Sequence, residues 1–153
     1  MLGTLPTLFL SQNAPESLAI EIGTENVMKM YPARTLIDAG VKPILEPGDY
    51  SSYGPNGTWM HFMQAYITRK NVYDGKIWGP QERITRQEAL WMATNWASRF
   101  YGDEKIMGTI QLGKLADMVV LGGDYMGVPE DKISEIRVLM TIVGGNVIFR
   151  RGT

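Results

Sequence analysis

Two short apolar runs on either side of a helical pattern set the strongest limit on how this chain can fold. "LPTLFL" (5–10) and "VKPILE" (41–46) are each brief enough for a buried strand. Between them "TENVMKMYPARTLIDAG" (24–40) predicts a helix. Thr24 is its N-cap candidate, Pro32 interrupts it, and Gly40 suits the left-handed residue past its end. Ala33, Leu36 and Ile37 fall on one face, and "SQNAPES" (11–17) reads as loop chemistry. Strands joined through a helix pair in parallel, because a tight turn joins only antiparallel neighbours. The front of the chain therefore predicts a βαβ unit.

"TWMHFMQAYITRK" (58–70) follows a polar, Gly-rich loop. Trp59, Phe62, Met63, Tyr66 and Ile67 recur at helical spacing as one apolar stripe, with Thr58 as N-cap. "NVYDGKIWGPQER" (71–83) reads as a long linker. A second helix opens on the capping box Thr85-x-x-Glu88, and Ala89, Leu90, Ala93, Trp96, Ala97 and Phe100 continue it to Gly102. The texture changes near Met107. "GTIQLGKLADMVVLGGDY" predicts two short strands around Gly113-Lys114, and "VPEDKISEI" a short capped turn. "RVLMTIVGGNVIFRRG" predicts a hairpin turned through Gly144-Gly145-Asn146. Roughly two thirds is βα-type and the rest all-β, with a boundary near 103–107.

Composition excludes several functions. The chain has 153 residues, 44% apolar and 20% charged, which suits one globular domain. A net charge of −1 gives no basic surface for nucleic acid or an anionic membrane. "MLGTLPTLFL" lacks a basic leader, carries Pro6 and is too short to span a membrane. The absence of cysteine removes disulfides, thiol nucleophiles and Cys-type zinc sites, and fits a reducing, cytoplasmic setting.

Few residues can carry chemistry. Asp49 stands just past "VKPILE", at the end of a parallel strand where α/β folds bind ligands. From pattern alone, an Asp capping the turn after Pro47-Gly48 is the commoner reading. His61 is the single histidine, off the apolar stripe and with no second His to share a metal; a partly exposed helix residue is the preferred reading. Asp117 opens a strand, where a turn bond or structural ion pair is the default. Trp59, Trp78, Trp91 and Trp96 read mostly as core. No glycine pair precedes a helix as a nucleotide fingerprint does.

Four segments taken together resemble the C-terminal part of amidohydrolase family 3, the group that includes N-substituted formamide deformylases. "YPARTLIDAGVKPILEPGD" is similar to the family's helix, turn and final barrel strand. "GPQERITRQEALWMATNWAS" is similar to its G-x-R-L-T-x-x-E-A-L helix. "GTIQLGKLADMVVLGGDYMGVPEDKI" is similar to its G-S-I-x-x-G-K-x-A-D strands, and "VLMTIVGGNVIF" to its closing hairpin. Two positions depart: Gly48 stands where the family has Ser, and Tyr50-Ser51 replace a small residue and Pro.

The resemblance implies an α/β fold: the C-terminal portion of a (β/α)8 TIM-like barrel, then strands of a small β-sandwich in a composite domain. Residues 1–106 would be the last βα units of an incomplete metal-dependent hydrolase barrel, and 107–153 the C-terminal sandwich strands. A whole barrel needs roughly 250 residues, more than this chain holds. The implied activity is hydrolysis of C–N bonds in an amide, formamide or cyclic amide by the complete enzyme. Asp49 would be the last catalytic carboxylate and a candidate metal ligand. The divalent metal, zinc by expectation, would take its remaining ligands upstream, so none is expected on this chain alone, which would be inactive. Expected partners are a small amide-type substrate in the complete enzyme, and self-association or a complementary N-terminal barrel chain. The alternative is a non-catalytic, partner-binding α/β module derived from the family.

Overall fold

The computed structural model describes residues 3–4, 7–10, 14–46 and 58–152. β1 (Gly3–Thr4) and β2 (Ile44–Leu45) pair in parallel, Gly3 against Ile44 and Thr4 against Leu45. Between them run α1 (Thr7–Leu10), α2 (Ala14–Ile22), α3 (Thr24–Met28) and α4 (Ala33–Asp38). The predicted βαβ unit is present, but its first strand is Gly3–Thr4. The expected strand at 5–10 is corrected: Thr7–Leu10 is a helical turn. A short apolar run is ambiguous between buried helix and buried strand, and both Phe9 and Leu10 are buried.

The crossover also differs from one interrupted helix. α2 begins inside the expected loop. Gly23, at φ 86°, caps α3, and Thr24 is already helical, which corrects its assignment as cap. Pro32 breaks the path before α4. Gly40 ends α4 as expected: its N–H donates to Ile37 and that of Val41 to Leu36, the paired bonds of a Schellman turn.

α5 (Trp59–Thr68) has Thr58 as N-cap and buries Phe62, Met63, Tyr66 and Ile67. Trp59 leaves the expected stripe and is 40% exposed. α6 (Arg86–Ala93) begins with the predicted capping box. The single helix predicted from Thr85 breaks at Thr94 (φ −132°, ψ −90°) and resumes as α7 (Asn95–Tyr101), closed by Gly102 at φ 81°. Phe9, Val27, Ala65 and Trp78 fill a smaller core, while α4, β2, α5 and α6 build the larger one.

The expected linker at 71–83 is folded in, and this is the main correction. Arg69 ends α5 in the left-handed region (φ 57°) and is fully buried. Its Nε donates to the carbonyl of Trp78 (2.9 Å), Nη1 to Tyr31 (3.0 Å) and Nη2 to Met30 (2.8 Å). Its guanidinium carbon lies 4.5 Å from the centre of the Phe9 ring. Burial pushes its pKa down to about 10, so it remains charged at neutral pH. Gly79 fits only as glycine, since a Cβ there would meet the Met28 carbonyl oxygen at 2.1 Å. Buried Glu82, in a 3-10 turn (Pro80–Glu82), accepts from the Thr35 N–H (3.0 Å) and hydroxyl (2.5 Å), satisfying the first turn of α4.

In the C-terminal part, β3 (Met118–Leu121), β4 (Val138–Val143) and β5 (Asn146–Arg150) form an antiparallel sheet in that order. Only one of the two strands expected around Gly113-Lys114 forms; the stretch before it is turns, with Gly113 at φ 85°. The hairpin turns through Gly144 and Gly145 as predicted, at φ 54° and 82°. "VPEDKISEI" contains a 3-10 helix (Glu130–Glu135). Tyr125 and Ile133 bury in the same core as α5 and α6, and Arg86 holds the carbonyls of Tyr125 (2.7 Å) and Val128. Among the described residues no helix is long and apolar enough to cross a membrane.

Two measurements check this packing. Arg69→Leu strands three carbonyls that the guanidinium satisfies; urea unfolding should show a loss of at least about 3 kcal/mol. A loss below about 1 kcal/mol would contradict the clamp. Glu88 supplies a titration test. Burial raises its pKa, but bonds from Thr85 and Arg34 outweigh this and hold it below the ordinary 4.5. A carboxylate lowered in the folded state adds stability above its unfolded pKa and loses it as pH falls through the folded value. Glu88→Gln should cost about 1 kcal/mol at pH 7, and the gap should close between about pH 5 and 3. A gap that stays constant over that range would exclude the carboxylate's charge as its source.

Candidate functional site

β2 ends at Leu45 and is followed by Glu46, and a cleft of about 370 Å³ opens beside them. Ile44, Leu45 and Glu46 line one side; Trp59 from the start of α5, with Ala97, Phe100 and Tyr101 from α7, line the other. The break at Thr94 redirects the chain before α7, so Phe100 and Tyr101 reach this end of the strand instead of the core. Both keep surface exposed, 40% and 71%. The carboxyl end of a parallel strand is where α/β folds collect ligands, because loops rather than core fill the space beyond it.

Asp49 lies three positions past Glu46, outside the described residues. His61 is half-buried in the first turn of α5, as expected. Its Nδ1 lies 2.7 Å from the Thr58 hydroxyl oxygen, and burial pushes its pKa down, favouring the neutral ring. Asp117 makes a turn bond: its carboxylate accepts the Gly144 N–H at 2.7 Å and steadies the hairpin. Trp78 and Trp96 are core, as expected, whereas Trp59 and Trp91 are 40% and 39% exposed.

Among the described residues no three His, Cys, Asp or Glu side chains come together as a metal site. The donors described thus do not fit a metal centre on their own. Sequence reasoning overlooked Glu46, Phe100 and Tyr101. Glu46 directly precedes the Pro-Gly break, and that position at a strand end was the available signal. Phe100 and Tyr101 carried none, because the helix break at Thr94 is not marked by Gly or Pro.

Residues 6–149 match the amidohydrolase family. The chain belongs to that family. It is 30% identical over 126 residues to an N-substituted formamide deformylase of Arthrobacter pascens, covering 81% of this chain and 22% of that protein. The chain thus spans about a fifth of that relative's length. The solved structures it resembles include an amidohydrolase from Thermotoga maritima MSB8 (TM-score 0.57, 16% identity, 91% of this chain, 36% of the other). A variant of an atrazine chlorohydrolase from Arthrobacter aurescens TC1, complexed with zinc and atraton, gives a TM-score of 0.57 at 19% identity, over 82% of this chain and 30% of the other. A 5-methylcytosine deaminase from Klebsiella pneumoniae gives 0.52 at 20% identity, over 78% and 27%. These likenesses support an α/β fold of the kind amidohydrolases share, and the family is one of hydrolases.

Proposed function

We propose that this chain is the C-terminal portion of a metal-dependent hydrolase that cleaves a C–N bond in an amide, formamide or cyclic amide. The observation that carries the reading is the parallel β1–β2 pair with a cleft at the carboxyl end of β2, four residues before Asp49. The family match and the formamide deformylase relative supply the reaction class. In this reading, residues 1–106 are the last βα units of a (β/α)8 barrel, and 107–153 are strands of a small β-sandwich.

Asp49 takes the proton of the attacking water and returns it to the leaving nitrogen. A divalent metal, zinc by this reading, would supply activation of that water in the complete protein, with its remaining ligands outside this chain. The aromatic cleft receives part of the substrate.

A second, non-catalytic reading has one observation in its favour. The C-terminal sheet exposes apolar residues on all three strands, with Val119 at 53%, Val147 at 48%, Phe149 at 43% and Leu139 at 40%. A sheet this open pairs with another chain or a second copy. Under the first reading that partner is the rest of the hydrolase.

Two experiments follow. In the complete protein, Asp49→Asn keeps the size and removes the base, and should lower turnover by roughly two to four decades. Unchanged turnover would remove Asp49 from the mechanism. The isolated chain, dialysed and then measured by metal analysis and light scattering, should hold substoichiometric zinc and run larger than a monomer. Stoichiometric zinc lost on Asp49→Ala, or a stable monomer with cooperative unfolding, would favour a self-sufficient module.

A further inference from the structure

The cleft beside β2 has a chemical bias that amide hydrolysis by itself does not require. Three of its described lining residues are aromatic: Trp59, Phe100 and Tyr101. The Trp59 ring stands nearly edge-on to Phe62, with centroids 6.5 Å apart at 83°. Phe100 stands edge-on to Tyr101, 5.1 Å apart at 81°. Both pairs have the edge-to-face geometry that aromatic rings favour.

Glu46 is the single charged residue among the described lining residues, and no Lys or Arg joins it there. An aromatic face carries a partial negative charge, so it attracts a cation and disfavours an anion. A carboxylate beside it acts in the same direction. A cavity of about 370 Å³ is large enough for a group of several heavy atoms. A neutral apolar group would gain from burial against the rings but nothing from Glu46; a phosphate or carboxylate would meet repulsion from both.

We propose that this cleft binds an organic ammonium group, carried as the amine-bearing arm of the substrate. The link to a substrate rests on the hydrolase reading above, whereas the preference for a cation rests on the cleft alone. Glu46 and the aromatic wall are therefore specificity residues, with a role separate from that of Asp49.

The test uses this chain with two probes of equal shape. Choline carries the charge; 3,3-dimethylbutan-1-ol replaces its nitrogen with carbon and is neutral. NMR titration should show choline binding about five-fold more tightly than the neutral probe. Glu46→Gln should reduce that preference to about two-fold or less without weakening the neutral probe. Trp59→Ala should weaken choline by about five-fold. Glu46 is exposed, so circular dichroism should show its variant folded as the parent. Equal binding of the two probes, a preference that survives Glu46→Gln, or no binding of either would each overturn the proposal. The last result would leave another chain as the occupant. None of these outcomes bears on the Asp49→Asn measurement, so the two readings fail separately.

Discussion

The buried guanidinium of Arg69 is the interaction on which the arrangement of the helices depends. It joins three segments distant in sequence: the turn between α3 and α4, through the carbonyls of Met30 and Tyr31; the segment after α5, through Trp78; and α1, through the Phe9 ring. Each partner is a group that would be costly to bury unbonded. Tyr31 and Arg69 both adopt positive φ, at 53° and 57°, a conformation that L side chains rarely take. The hydrogen bonds offset that strain. With this junction closed, α4 is directed into β2, and β2 then delivers its carboxyl end to the cleft.

Charge distribution reinforces the same geometry. Glu82 closes the first turn of α4, and Arg34 on α4 bonds both Asp38 and Glu88 at 2.8 Å. Glu88 also completes the capping box of α6. The entry to the strand that carries the candidate site and the entry to the helix beside it therefore share one network of partly buried carboxylates. Removing one member leaves others buried without partners, which costs more than a surface pair would.

The C-terminal sheet follows a different logic. It is attached through Tyr125, Ile133 and Arg86, yet its strands keep apolar side chains in solvent. Its exposed apolar faces are the observation behind the proposal that this sheet meets further polypeptide.

Local patterns determined what depends on near neighbours. The Thr85–Glu88 capping box, the Thr58 cap, the Gly40 and Gly102 ends and the Gly144-Gly145 hairpin were legible because each is a contact within a few residues, with one conformation strongly favoured. The parallel pairing was legible from the order of apolar runs. The position of the first strand, the break at Thr94 and the folding-in of residues 71–83 were not. The first and the last of these are decided by partners 15 or more residues away: Phe9 by Val27 and Trp78, Arg69 by Met30 and Tyr31, Arg83 by Thr68, whose carbonyl it bonds at 3.1 Å. The sequence placed Asp49 after a parallel strand and identified the family's segments. Only the tertiary structure set Trp59, Phe100 and Tyr101 around Glu46, because rings from two helices converge on one strand end only when the core between them has packed.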